Sequence, residues 1–152
     1  MATVGREYVG LYRLLRVILA GRSCVVWEAM HEDLKQRFAL KVLSAEYKSD
    51  TETRALLKRE FSVGHKFAHP NVVSIHEYGV DRDWAYLAIE FFEGKNLKQA
   101  LREGPDAIAW QAEKIIEQAA QGLHYLHEQG WVHRDIKPDN ILVNAAGDVK
   151  LI

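Results

Sequence analysis

Eight consecutive residues, His133-Arg134-Asp135-Ile136-Lys137-Pro138-Asp139-Asn140, place a carboxylate, an ammonium and a side-chain amide within one short loop. An aspartate there can accept or orient a proton, the lysine can neutralise a phosphate, and the asparagine oxygen can bind a hard divalent cation. The bland alternative is a polar turn with a chance pattern, so the weight falls on the residues upstream.

Upstream, Phe38-Ala39-Leu40-Lys41-Val42-Leu43 alternates as a strand, with Phe38, Leu40 and Val42 on one face and Ala39, Lys41 and Leu43 on the other. Lys41 thus stands in an otherwise apolar row, where an ammonium must snorkel or find an anion. Glu60 lies four positions after Leu56, three before Val63 and seven before Phe67, on the apolar stripe of a helix rather than its solvated side. Two misplaced opposite charges predict one buried ion pair, and a purely structural salt bridge is the competing explanation.

These residues need elements to position them. Leu11 to Leu19 and Cys24 to Met30 read as strands around Ala20-Gly21-Arg22-Ser23, and Arg37 to Leu43 follows after His31-Glu32-Asp33. Ser49 with Glu52 resembles a capping box for a helix from about 51 to 66, ended by Gly64 and His69-Pro70. Val72 to Tyr78 and Trp84 to Phe91 complete five strands and one helix over roughly 8–92. From Asn96 the pattern turns helical, first to about Glu103 and then, past Gly104-Pro105, over about 107–129. There Ile108, Ala112, Ile115, Ala119, Leu123 and Leu126 form an apolar stripe that little remaining chain can cover. Ile141 to Val143 and Asp148 to Ile152 are short strand runs.

The chain has 152 residues, 48% hydrophobic, with 20 cationic and 21 anionic side chains and a formal charge of -1. That predicts a globular chain with a core and no electrostatic footprint for nucleic acid or anionic lipid. Cys24 is the single cysteine, so no intrachain disulfide is possible and a cytoplasmic location is expected. Neither a signal peptide nor a membrane-spanning run is legible. His124 and His127 sit three apart on the long helix, where a solvated pair is expected over a zinc site.

In this order and spacing the motifs resemble the N-terminal part of a eukaryotic-type protein serine/threonine kinase, over nearly the whole chain. Phe38 to Lys41 matches the family's V-A-I-K strand, Glu60 the helix glutamate paired with its lysine, and His133 to Asn140 the catalytic loop. His69-Pro70-Asn71 and Glu90-Phe91-Phe92-Glu93-Gly94 stand where the family has its helix-to-strand turn and its hinge. The resemblance implies an α+β, bilobal fold: a complete five-stranded small lobe with one helix (about 8–92) and the start of a helical large lobe (about 93–152). It implies ATP and Mg²⁺ as ligands and protein Ser/Thr hydroxyls as acceptors. Lys41 would hold the α- and β-phosphates and Glu60 would fix the lysine. Asp135 would orient the acceptor hydroxyl, Lys137 would neutralise the γ-phosphate, and Asn140 would bind a metal ion. Val26 and Ala39 would roof the adenine and Leu142 would floor it. Backbone groups of Glu90 and Phe92 would bond its edge, and Ile89 would guard the back. Arg134 in the family contacts the activation segment.

Two departures accompany the likeness. Aligned on Val26, the glycine-rich loop reads Leu19, Gly21 and Cys24 at its three glycine positions, so Leu19 and Cys24 should reshape the phosphate cover. Val149-Lys150-Leu151-Ile152 matches the strand that the family follows with Asp-Phe-Gly, a motif that these 152 residues do not contain. The expectation is a kinase-domain segment with negligible turnover by itself. The alternatives are a pseudokinase or binding module and a small-molecule phosphotransferase, the latter disfavoured by Arg134 with Lys137.

Overall fold

The structure is a computed structural model and describes residues 6–152. Two compact units share the chain: one runs to Lys66 and resumes over Ser74–Phe91, the other takes Phe67–Val73 and Phe92–Ile152.

The first unit is an antiparallel sheet of β1 (Tyr8–Val9), β2 (Tyr12–Ala20), β3 (Cys24–His31), β4 (Gln36–Leu43), β5 (Ile75–Asp81) and β6 (Trp84–Glu90), ordered β1-β2-β3-β4-β6-β5. The five expected strands are all present, and the two-residue β1 is an addition. Between β1 and β2 the chain reverses at Gly10, whose φ of +58° suits a residue without a Cβ. Alternation along β4 divides the apolar residues as anticipated. Phe38, Leu40 and Val42 bury with Val9, Tyr12, Ala29, Tyr86 and Ala88, while Leu43 on the opposite face packs with Leu57, Ala85 and Leu87. Each large apolar side chain so buried contributes about 1.5–3 kcal/mol.

Helix α1 (Thr51–Gly64) supplies Leu57. Its cap differs from the Ser49/Glu52 expectation. Asp50 occupies the cap and accepts from the Thr53 amide at 2.9 Å. A carboxylate next to the first turn both satisfies an orphan N–H and complements the helix dipole.

The second unit contains α2 (Leu97–Glu103), α3 (Pro105–Ala109) and α4 (Ala112–Glu128), with a ribbon of β7 (Lys95–Asn96), β8 (Ile141–Val143) and β9 (Val149–Leu151). Asn96 and Gln99 form a reciprocal capping box on α2. The single helix expected over 107–129 is divided. The Gln111 amide closes a tight turn onto the Ile108 carbonyl at 2.9 Å, and a new helix starts at Ala112. With the axis reset, Ile108 and Ile115 both pack against Ile141, Val143, Val149 and Leu151, so the β8–β9 ribbon covers much of the stripe for which little cover is expected from the sequence.

The segment 67–73 explains why Val72 is not in β5. Asn71 donates to the Val149 carbonyl at 2.9 Å and accepts from the Leu151 amide at 2.8 Å, and the Val73 amide donates to the Leu151 carbonyl at 2.9 Å. Gly122 on α4 permits this approach, since a Cβ there would lie 2.7 Å from the Asn71 carbonyl oxygen. Across the described residues, no helix is long and apolar enough to cross a membrane.

Candidate functional site

In the first unit, strand register does the positioning. Lys41 lies opposite Val26 on β3 and Leu87 on β6, while Ala39 lies opposite Glu28 and Ile89. The Lys41 Nζ meets Glu60 Oε2 at 2.8 Å, so the anticipated pair forms. It is not buried as expected: the side chains retain 28% and 41% exposure. Helix α1 buries Leu57 and Gly64, and Glu60 lies on the flanking line with Leu56, which is 64% exposed. That flank borders a cavity of about 360 Å³ lined by Leu19, Gly21, Cys24, Val26, Lys41 and Glu60 together with the turn residues Arg22 and Ser23. Leu19 is largely exposed and Val26 half-buried.

The β2–β3 turn is held in place. The Ser44 amide and hydroxyl donate to the carbonyls of Ser23 (2.8 Å) and Arg22 (3.2 Å), and Arg22 Nε donates to the Tyr47 hydroxyl at 3.1 Å. Sequence reasoning also missed Glu28. Its carboxylate is buried between Arg16 Nε at 2.5 Å and Arg37 Nη1 at 3.0 Å, joining β2, β3 and β4 on the face that carries Val26 and Lys41. Burial alone would raise this carboxyl, but the hydrogen bonds from Arg37 and then Arg16 outweigh it and hold it below the ordinary value. A charge inside an apolar strand was the available signal, but its partners follow only from register. At the end of β6, the Glu90 amide donates to the Ser74 carbonyl at 2.9 Å and its carboxylate accepts from the Ser74 amide at 3.0 Å. Ile89 is half-buried beside it.

In the second unit the octet folds into a tight constellation. Asp135 Oδ2 receives Lys137 Nζ at 3.2 Å and Asn140 Nδ2 at 2.9 Å, and the same amide also reaches the Asp135 carbonyl at 2.9 Å. A 3₁₀ turn over Pro138–Asn140 is closed by the Asn140 amide on the Lys137 carbonyl at 2.9 Å. Arg134 adopts φ +66°, a left-handed conformation rare for a side-chain-bearing residue that turns the chain sharply ahead of Asp135. His133 bonds the Ile152 carbonyl through Nε2 at 2.8 Å and accepts the Asp135 amide at Nδ1. Lys137, followed by Asn140, holds the Asp135 carboxyl below the usual carboxylate range. Asp139 is neutralised by Lys98 at 3.2 Å. Leu142 is half-buried on β8, and Phe92 is half-buried at the start of this unit.

The donor set suits a hard cation. Asn140 donates both its amide hydrogen bonds to Asp135, leaving its side-chain oxygen for a metal, beside a carboxylate that stays ionised. Among the described residues no cluster of three or more His, Cys, Asp or Glu side chains marks a different metal centre. His124 pairs with Glu128 at 3.4 Å on an exposed face, as expected of a solvated histidine.

Comparison with known proteins agrees with this geometry. The protein kinase domain family matches residues 12–152. The serine/threonine-protein kinase PknJ of Mycobacterium tuberculosis is 38% identical over 152 residues, covering 99% of this chain and 26% of that protein. PknA of the same species is 36% identical over 153 residues, covering 97% and 36%. PrkC of Bacillus subtilis is 34% identical over 148 residues, covering 97% and 23%. The chain therefore spans about a quarter to a third of these relatives. The crystal structure of the Mycobacterium tuberculosis PknI kinase domain, C20A mutant, superposes with a TM-score of 0.75 at 26% identity, over 96% of this chain and 61% of that one. A family match across nearly the whole chain, residues 12–152, together with relatives whose names are those of serine/threonine-protein kinases, means that this chain belongs to the protein kinase domain family.

Proposed function

We propose that the chain serves transfer of the γ-phosphoryl group of ATP to serine or threonine hydroxyls of protein substrates. In this reading residues of about 8–92 form the nucleotide-binding small lobe, and 93–152 begin the large lobe. The observation that carries it is the Asp135–Lys137–Asn140 constellation, in which a single loop holds an ionised carboxylate, a cation and an uncommitted amide oxygen. A lysine two places after the aspartate is the serine/threonine-type pattern.

Asp135 orients the acceptor hydroxyl. As the hydroxyl oxygen bonds to the γ-phosphorus, the bond to the β–γ bridging oxygen breaks, ADP departs and the hydroxyl proton passes to the carboxylate. Because Lys137 and Asn140 keep that carboxyl a weak base, its main part is orientation, with proton acceptance late in the transfer. Lys41 anchors the phosphate chain, and Glu60 fixes the direction of the lysine. Mg²⁺, held through Asn140, would supply charge neutralisation at the phosphates. Val26, Ala39, Leu142 and the backbone of Glu90 and Phe92 are the adenine contacts of this proposal. A reducing, cytoplasmic setting accords with the lone Cys24.

Leu19 and Cys24 at glycine positions favour a second reading, a module that binds nucleotide or a partner without turnover. The 152-residue polypeptide, which lacks Asp-Phe-Gly, is expected to show negligible turnover by itself. Thermal unfolding with ATP and Mg²⁺ tests the nucleotide step: Tm should rise with ATP, and Lys41→Met should abolish the rise. A parent chain indifferent to ATP refutes the nucleotide reading, and radiolabel transfer that vanishes with Asp135→Ala would overturn the expected inactivity.

A further inference from the structure

The cavity beside α1 has three charged side chains, and two of them cancel. Lys41 and Glu60 are paired at 2.8 Å, leaving Arg22 as the uncompensated charge of the lining. Arg22 makes no ion pair among the described residues. Its contact is neutral: Nε donates to the Tyr47 hydroxyl at 3.1 Å. That bond engages Nε, and among the described residues neither terminal nitrogen has an ion pair or hydrogen bond. The backbone beneath it is fixed as well, since Ser44 holds the carbonyls of Arg22 and Ser23.

We propose that Arg22, oriented by Tyr47, is a phosphate-binding residue of this chain and gives it a preference for nucleotides with an extended phosphate chain. This rests on the nucleotide reading above and deepens it. Glycines let a backbone approach phosphates closely, and Leu19 and Cys24 remove that freedom at two of three positions. A guanidinium reaches where the backbone cannot. It presents paired donors that match phosphate oxygens, and a pre-oriented fork loses less entropy on binding than a free one. Tyr47 is a positioning residue: it acts through Arg22 and touches no phosphate itself.

The test is calorimetric titration of the 152-residue chain with ATP and with adenosine. Arg22→Ala should weaken ATP about tenfold, the size of one lost charge-assisted contact, and leave adenosine unchanged. Arg22→Lys should restore part of the loss, Tyr47→Phe should give a smaller loss confined to ATP, and the salt dependence of ATP binding should flatten in Arg22→Ala. Both positions lie at an exposed turn and its support, and equal Tm values for parent and variants separate binding from folding. An unchanged ATP-to-adenosine ratio in Arg22→Ala, or equal weakening of both ligands, overturns the inference alone. A parent chain that binds neither ligand overturns the nucleotide reading and this inference together.

Discussion

Glu28→Gln removes one charge from a site that holds three. The carboxylate is 8% exposed and receives Arg16 at 2.5 Å and Arg37 at 3.0 Å, whose side chains are 66% and 39% exposed. Two charge-assisted hydrogen bonds would together be worth about 3–6 kcal/mol if fully shielded. Solvent reaches both guanidiniums, which roughly halves that figure, so glutamine should cost the first unit about 1.5–3 kcal/mol. The pH dependence follows in sign. The folded carboxyl titrates below its unfolded value, so its stabilisation is fully present above about pH 4.3 and is lost as pH falls through the folded pKa. The gap between parent and variant should therefore close in acid. Urea unfolding followed by tryptophan emission measures it, in a background with Trp110 and Trp131 changed to Phe so that Trp27 and Trp84 report on the first unit. Arg16→Ala should shrink the cost of Glu28→Gln. A cost below about 0.5 kcal/mol at pH 7, or a gap that persists undiminished well below pH 4, refutes this account of the strand triad.

Two further outcomes concern the second unit. Gly122→Ala should destabilise it by about 1–3 kcal/mol although alanine is the better helix former, because the new Cβ meets the Asn71 carbonyl at 2.7 Å; faster hydrogen exchange of the Leu151 amide is the readout, and unchanged exchange contradicts it. The Asp135 titration, followed by carboxyl-carbon NMR, should move upward in Lys137→Met and also in Asn140→Ala, and a stationary midpoint in both would show that neither group holds the carboxylate.

Local pattern settled much of this protein. Alternation along 38–43 put Lys41 on the face opposite Phe38, Leu40 and Val42, and the octet 133–140 carried its own geometry because all its partners lie within a few residues of one another. Chain-local signals failed wherever a distant partner decided. Val72 reads as strand but is claimed by Leu151, because Asn71 and Val73 satisfy their backbone and side-chain groups on β9. The helix over 107–129 reads as continuous, yet it breaks at Gln111 where Ile108 and Ile115 must reach one apolar cluster. Glu60 sits on an apolar line in sequence, but which line of α1 meets the sheet is set by Leu57 and Gly64, and that choice left the Lys41 pair half-exposed. Residue types and spacing fixed the chemistry this chain can carry. Strand register and helix rotation, which depend on contacts far apart in sequence, decided how Glu28 and Arg22 join it.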